Sequence, residues 1–262
     1  MPNFDSYSAG TPCWVDLASP DVDASVAFYE SVFGWKGKPE HDDDGNRIYT
    51  QFWRGDRIVA GLGGQAPGME GMPAIWNTYI CVDDAEAAVA AAQEAGGSVM
   101  MPAMVVMEAG HMAILSDPTG AAVSVWQPEE HVGAGVANEP DTWSWNELVT
   151  RDVDTAKAFY SKVFGWEYDV QDMPMGAYYV IRGGHSGGLG GLMSMPPGMP
   201  EQVPNHWAVY FSVSDVAATI EKVKAAGGQL VQEPMEFPGV GHIATVHDPN
   251  GGSFSLMQPA SN

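Results

Sequence analysis

Cysteine is nearly absent: the 262-residue chain has two, Cys13 and Cys81. Both sit in apolar, strand-like runs outside any C-x-x-C spacing, which excludes a disulfide framework, a zinc knuckle and a thioredoxin-type motif and leaves buried thiols in a reducing compartment. Basic residues are also scarce, with 11 Lys plus Arg against 33 Asp plus Glu and a formal net charge of -22. Such a surface repels phosphate backbones and anionic lipid, so neither a nucleic acid nor a membrane is expected as a partner. No apolar run reaches the roughly 18 residues of a membrane span. The opening MPNFDSYSAGTP has neither a basic start nor an apolar centre, so the sequence reads as an untargeted cytoplasmic protein. A phosphate loop, a G-x-S-x-G elbow and a dinucleotide fingerprint are missing too, since the glycine run GGLGGL leads into a loop rather than a helix. The acidic stretches EHDDDGN (40–46) and NEPD (138–141) lack the regularly placed oxygens of a calcium loop and read as solvated turns.

What the chain does have is apolar and repeated. Hydrophobic residues make up 45% of it and aromatic residues 10%, enough for a core without covalent staples. The octapeptide FYESVFGW at 28–35 returns as FYSKVFGW at 159–166. The same offset of 131 aligns Trp14 with Trp145, Tyr79 with Tyr210, His111 with His242, Asp117-Pro118 with Asp248-Pro249 and Gln127-Pro128 with Gln258-Pro259. A constant offset over so long a stretch means two copies of one domain, 1–135 and 136–262, joined near HVGAGVANEPDT at 131–142.

A fainter offset of about 62 divides each copy, pairing Asp21 with Asp83 and Gly34 with Gly96. Each quarter opens with a short strand such as CWVDLA or WNTYICV, followed by an acidic N-cap region and a helix. In the first helix Val22, Val26, Tyr29 and Phe33 recur at helical spacing, and Gly34 and Gly96 supply permissive C-terminal positions. Three short strands follow, with DPTG and DPNG as hairpin turns. The module reads β-α-β-β-β, and two such modules curve a mixed sheet around a cavity. The fold class is α+β.

Taken together, D-x-x-x-S/A-x-x-F-Y-x-x-V-F-G-W, the later V-D-D…A-G-G and the closing D-P-x-G…Q-P resemble the vicinal oxygen chelate superfamily of glyoxalase, bleomycin-resistance and extradiol-dioxygenase-like proteins. The resemblance runs over nearly the whole chain twice, and is nearest to a bacterial two-domain branch that goes under the names glyoxalase-like and hydroxylase. It implies tandem domains of that fold, and in catalytic members a divalent metal held in the cavity by His, Gln or Glu. The resemblance sets the ligand positions at Trp14, Asn77 and Ser124 in the first copy and at Trp145, Ala208 and Ser255 in the second, with the remaining position inside AGLGGQ and GGLGGL. None of these supplies a carboxylate or imidazole, so no metal and no other cofactor is expected.

A walled cavity remains. By strand alternation Trp14 shares a face with Asp16, Asn77 with Tyr79 and Ser124 with Trp126, while the second copy offers Trp145 with Glu147, Ala208 with Tyr210 and Ser255 with Met257. Such an aromatic lining with one carboxylate suits a flat or apolar small molecule. Two readings stay open at these positions. Trp14 and Trp145 either line a pocket or plug it, and Asp16 and Glu147 either meet a ligand or bond to a partner such as Tyr or Arg, since an unpaired inward carboxylate is costly. The second cavity should be the roomier, with Ala208 for Asn77 and Met257 for Trp126. His111 and His242, at strand starts, and His206 fit structural hydrogen bonds better than a displaced metal. The methionine-rich loops QAPGMEGMP and MPPGMPEQVP read as crossovers whose methionines could edge a pocket mouth.

The expected function is therefore a metal-independent small-molecule-binding protein for an aromatic or hydrophobic metabolite, monomeric or homodimeric. One alternative is a glyoxalase-like lyase, isomerase, oxygenase or hydroxylase using Asp16 or Glu147 as acid or base; another is an interaction protein with collapsed cavities.

Overall fold

The computed structural model describes residues 3–173, 176–183 and 188–260. Met1 and Pro2 of the opening stretch and Gly187 of the second glycine run lie outside these ranges. One order of elements recurs four times. The first module is β1 (Pro12–Ser19), α1 (Val22–Phe33), β2 (Lys36–His41), β3 (Arg47–Arg54) and β4 (Arg57–Gly64), and the second is β5 (Ile75–Cys81), α2 (Ala85–Glu94), β6 (Ser98–Val106), β7 (Gly110–Ser116) and β8 (Ala122–Pro128). The third comprises β9 (Thr142–Thr150), α3 (Val153–Phe164), β10 (Tyr168–Met173), β11 (Gly176–Ile181) and β12 (Gly190–Ser194). The fourth comprises β13 (His206–Ser212), α4 (Val216–Ala225), β14 (Gln229–Phe237), β15 (Gly241–His247) and β16 (Ser253–Pro259).

Local chemistry sets these boundaries. Asp21, Asp84, Asp152 and Asp215 each cap a helix by accepting from the backbone N–H three residues on. Gly34 and Gly165 end α1 and α3 in the left-handed conformation, at φ 71° and 70°, which an L side chain adopts only with strain. Modules pair into two eight-stranded mixed sheets, ordered β2-β3-β4-β1-β5-β8-β7-β6 and β10-β11-β12-β9-β13-β16-β15-β14. The seam of each is the antiparallel pair β1–β5 or β9–β13, flanked by parallel partners. Among the described residues no helix is long and apolar enough to cross a membrane.

The helices pack crosswise between the two sheets, α1 against α4 and α2 against α3. That packing explains the doubled octapeptide. Phe28, Tyr29, Phe33 and Trp35 join Phe211 and Phe254 of the other half in one buried cluster, and Phe159, Tyr160 and Trp166 join Ile80, Leu115 and Val125 in a second. Trp35 Nε1 donates to the Asp141 carbonyl at 2.8 Å, and Trp166 Nε1 to the Gly10 carbonyl at 2.7 Å. The buried Tyr29 hydroxyl receives the Trp76 indole N–H at 3.0 Å and donates to Asp248 Oδ2 at 2.9 Å. Asp248 Oδ1 meanwhile gathers the N–H groups of Asn250 and Gly252, so the DPNG aspartate is a buried anchor between halves as well as part of a turn.

Both thiols are buried and free, as the sequence implied. The segment after β8, where the copies join, is packed into the fold: Ala134 N–H donates to the Cys13 carbonyl at 2.9 Å, Gly135 N–H to the Ile58 carbonyl at 2.9 Å, and Asn3 bridges to Val136. Gly133, at φ 116°, lies so close to the Cys13 carbonyl that a Cβ would collide with it.

Candidate functional site

In the first sheet, register pairs Trp14 with Tyr79, Asp16 with Asn77, Tyr79 with Ser124 and Cys81 with Trp126, which brings all six predicted residues onto the concave face. They form a closed network. Asp16 Oδ1 accepts from Asn77 Nδ2 at 2.9 Å, and Oδ2 accepts from the hydroxyls of Tyr79 at 2.9 Å and Tyr49 at 3.0 Å. Trp14 Nε1 donates to the Tyr49 oxygen at 3.2 Å. Burial raises the Asp16 pKa and the three donors oppose that rise, while burial and the carboxylate's charge push both tyrosines well above their ordinary value, so they stay protonated donors. Over this network lies His131 from the segment after β8. Its ring sits edge-on to Trp14 at 4.5 Å and to Trp126 at 5.6 Å, and its carbonyl accepts the Trp126 indole N–H at 2.7 Å. Trp14 is 3% exposed and Trp126 5%. The first concavity is thus filled by the chain's own side chains, and Asp16 is a hydrogen-bonded, buried carboxylate.

The second sheet keeps the walls and lacks the filling. Register pairs Trp145 with Tyr210, Glu147 with Ala208, Tyr210 with Ser255 and Ser212 with Met257. Trp145 Nε1 donates to the Tyr178 hydroxyl at 2.9 Å, and the Tyr210 hydroxyl donates to Glu147 Oε1 at 2.7 Å. The Tyr178 hydroxyl stands beside the carboxylate and interacts with it, but only the Tyr210 hydroxyl makes a well-formed hydrogen bond to it, and Ala208 has no amide to offer. Burial, the dominant cause, raises the Glu147 pKa, with the two tyrosines opposing. Trp145, Glu147, Tyr178, Ala208, Ser255 and Met257 line a cleft of about 2390 Å³ that continues past Met195 and Met199 and along Phe4–Ser8. Trp145 is half-buried and does not plug it. The two halves are unequal in the expected direction, with the second open.

Tyr49, Tyr178 and His131 are absent from the sequence-based set, and the first two occupy the fourth ligand position. Gly61 pairs with Asp16 and Gly191 with Glu147, and a side chain at either glycine would overlap the hydroxyl of Tyr49 or Tyr178. The resemblance drawn from the sequence implies a metal ligand at that position; here a tyrosine hydroxyl fills it. The polar groups facing each concavity are one carboxylate, hydroxyls and indoles, with the Asn77 amide in the first, and among the described residues no three His, Cys, Asp or Glu converge. This set does not fit a divalent metal. Of the histidines singled out in the sequence, His111 Nε2 is 3.3 Å from Glu129, His242 is exposed, and His206 Nδ1 is 2.8 Å from the Pro204 carbonyl at the cleft's edge.

Comparison with known proteins agrees with this architecture. The family model described as Glyoxalase/Bleomycin resistance protein/Dioxygenase superfamily matches residues 13–125 and again 143–256. CFP32 of Mycobacterium tuberculosis (strain CDC 1551 / Oshkosh), named as a candidate glyoxylase, is 44% identical over 261 residues, covering 99% of each chain. The anthracycline biosynthesis protein DauV of Streptomyces sp. (strain C5) is 35% identical, over 96% of this chain and 94% of its own. Among solved structures, the 2,3-dioxygenase LapB from Pseudomonas sp. KL28 superposes with a TM-score of 0.66 at 15% identity, covering 96% of this chain and 92% of LapB. The Mn(II)-bound glyoxalase from Novosphingobium aromaticivorans does so with a TM-score of 0.66 at 15% identity, covering 98% and 83%. At such identities these two likenesses concern the fold. The double family match and the near full-length relatives mean that this chain belongs to the glyoxalase/bleomycin resistance protein/dioxygenase superfamily.

Proposed function

We propose that the protein is an enzyme acting on a flat, largely apolar aromatic molecule in the second concavity, with Glu147 exchanging a proton with it. One observation carries the reading: Glu147 lines the cleft, is 8% exposed, and among the described residues accepts one well-formed hydrogen bond, from Tyr210, with Tyr178 alongside, where Asp16 accepts three. A shielded carboxylate with a raised pKa and spare acceptor capacity is suited to general acid–base work. The Tyr210 hydroxyl, kept protonated, fixes the orientation of that carboxylate, and Trp145, Ile243 and Met257 give the cleft its apolar surface. No step runs through a metal. The names of the relatives agree with this reading, since one is a candidate glyoxylase and another serves anthracycline biosynthesis, which points to fused-ring substrates.

Binding without turnover is the second reading. It is favoured by Asp16, the counterpart of Glu147, which has a purely structural part in the first half. Anthrone separates the two, because its methylene hydrogens are acidic and its rings are fused. Wild-type protein should speed deuterium uptake at that carbon in D2O, read by mass spectrometry, and Glu147→Gln should slow the catalysed part roughly 100-fold or more. Bound anthrone exchanging no faster than free anthrone would leave the binding reading.

A further inference from the structure

The first concavity holds its own occupant, and the repeat transfers that occupant's outline to the second. Three groups fill the first: the Trp126 indole, the His131 ring packed with it against Trp14, and the Asn77 amide donating to Asp16 at 2.9 Å. At the positions aligned with Trp126 and Asn77 the second half has Met257 and Ala208. The receiving walls are retained. Trp145 stands for Trp14, with its indole N–H on Tyr178 as that of Trp14 is on Tyr49; Glu147, Tyr210 and Ser255 stand for Asp16, Tyr79 and Ser124. Ala208 is the Cα partner of Glu147, as Asn77 is of Asp16, so the missing amide would have pointed at a carboxylate that here keeps its tyrosine neighbours but has no amide donor. Met257 replaces a rigid indole with a narrow, flexible thioether that can swing aside.

We infer that the second concavity takes a fused-ring aromatic bearing a hydroxyl or N–H donor, its rings in the place of the Trp126 indole and its donor in the place of the Asn77 amide, and that Ala208 and Met257 set this specificity. The inference rests on the assignment of the second cleft as the working site. It adds a polarity requirement: an ionised carboxylate only accepts, so a ligand presenting an ether or carbonyl oxygen at that point meets repulsion instead of a hydrogen bond. It adds a size requirement as well, because a single ring leaves part of the space vacated by the indole unfilled.

Calorimetric titration at pH 8 with 2-naphthol, 2-methoxynaphthalene and phenol tests both. Wild-type protein should bind 2-naphthol at least roughly tenfold more tightly than 2-methoxynaphthalene, the ratio expected of a charge-assisted hydrogen bond, and also more tightly than phenol. Glu147→Gln should shrink the first ratio. Ala208→Asn and Met257→Trp, which restore the first half's filling, should each weaken 2-naphthol binding about tenfold or more through the steric and hydrogen-bond competition they introduce. Equal binding of 2-naphthol and its methyl ether, or unchanged affinity in a folded Met257→Trp variant, would overturn the inference while leaving an aromatic site in the protein. No binding of any probe would overturn the choice of cleft and this inference with it. If the filled variants do not fold, the ratio of the two naphthalenes in wild-type protein still decides.

Discussion

Acid should unlatch the filled half. The Nε2 atom of His131 is buried without a hydrogen-bond partner between Trp14 and Trp126, and burial holds the imidazole's pKa down from 6.5 to about 4. Between those values the unfolded chain binds a proton that the folded chain does not. The contribution of His131 is therefore fully present above pH 6.5 and is lost as the pH falls toward 4. At 1.36 kcal/mol per pH unit the whole window is worth about 3 kcal/mol. Stopping at pH 5, clear of the isoelectric point near 4.3, leaves about 2 kcal/mol. Asp16 and Glu147 work in the opposite sense: burial raises their pKa, so their contribution is greatest below the ordinary carboxylate range and is lost as the pH rises to the raised value. A His131→Phe variant keeps the ring and those carboxylates, so subtraction isolates the imidazole. Urea unfolding at pH 7.5 and pH 5 should cost the wild type about 2 kcal/mol more than the variant. Equal losses would refute the buried, neutral His131.

Asp16→Asn should lower folding stability by about 1–3 kcal/mol, because an amide turns an N–H toward donors that the carboxylate satisfied, yet leave aromatic binding by the second half unchanged. Thermal melts and titrations read both, and an unaffected melting temperature would count against the closed network. Tyr29→Phe strips Asp248 Oδ2 of its donor and the Trp76 indole N–H of its acceptor at the join between halves. A loss of about 2–4 kcal/mol is expected in urea unfolding, and one below about 0.5 kcal/mol would mean that water replaces the hydroxyl.

The four modules are legible in the sequence because what specifies them is local: an N-cap aspartate, a glycine at the helix end, apolar residues on one helix face and a D-P-x-G turn. The six concave-face positions of each half follow from strand alternation for the same reason. What is not legible depends on contacts distant along the chain. Tyr49 and Tyr178 are counterparts, but the intervening hairpin differs in length, so they lie 129 residues apart and drop out of an alignment at 131. A signal does exist in Gly61 and Gly191, glycines in a strand beside a buried carboxylate, which mark a close approach by another group. His131 is hidden because the ring it packs against, Trp14, lies more than a hundred residues away along the chain. The crossing of α1 onto α4, and the bond from Tyr29 to Asp248 on which it depends, has no periodic trace at all.

Those long-range contacts also bear on why one concavity is full and the other open. The bond from Ala134 N–H to the Cys13 carbonyl and the bridge from Asn3 to Val136 lie on opposite sides of the point between residues 135 and 136, so the segment joining the copies is also part of what covers the first concavity. That half has turned its pocket into core and gains the burial of two tryptophans. The second half leaves Trp145 and its apolar neighbours half in water, and at about 25 cal/mol per Å² each 100 Å² so exposed forgoes roughly 2.5 kcal/mol. The walls do not collapse to recover it, because Trp145 is tethered to Tyr178 and Tyr210 to Glu147. A ligand that covers this surface recovers the burial without reorganising the pocket, which is the physical basis for tight binding by a preformed site. The filled half, fastened to it through crossed helices, acts as the scaffold that holds the open one in shape.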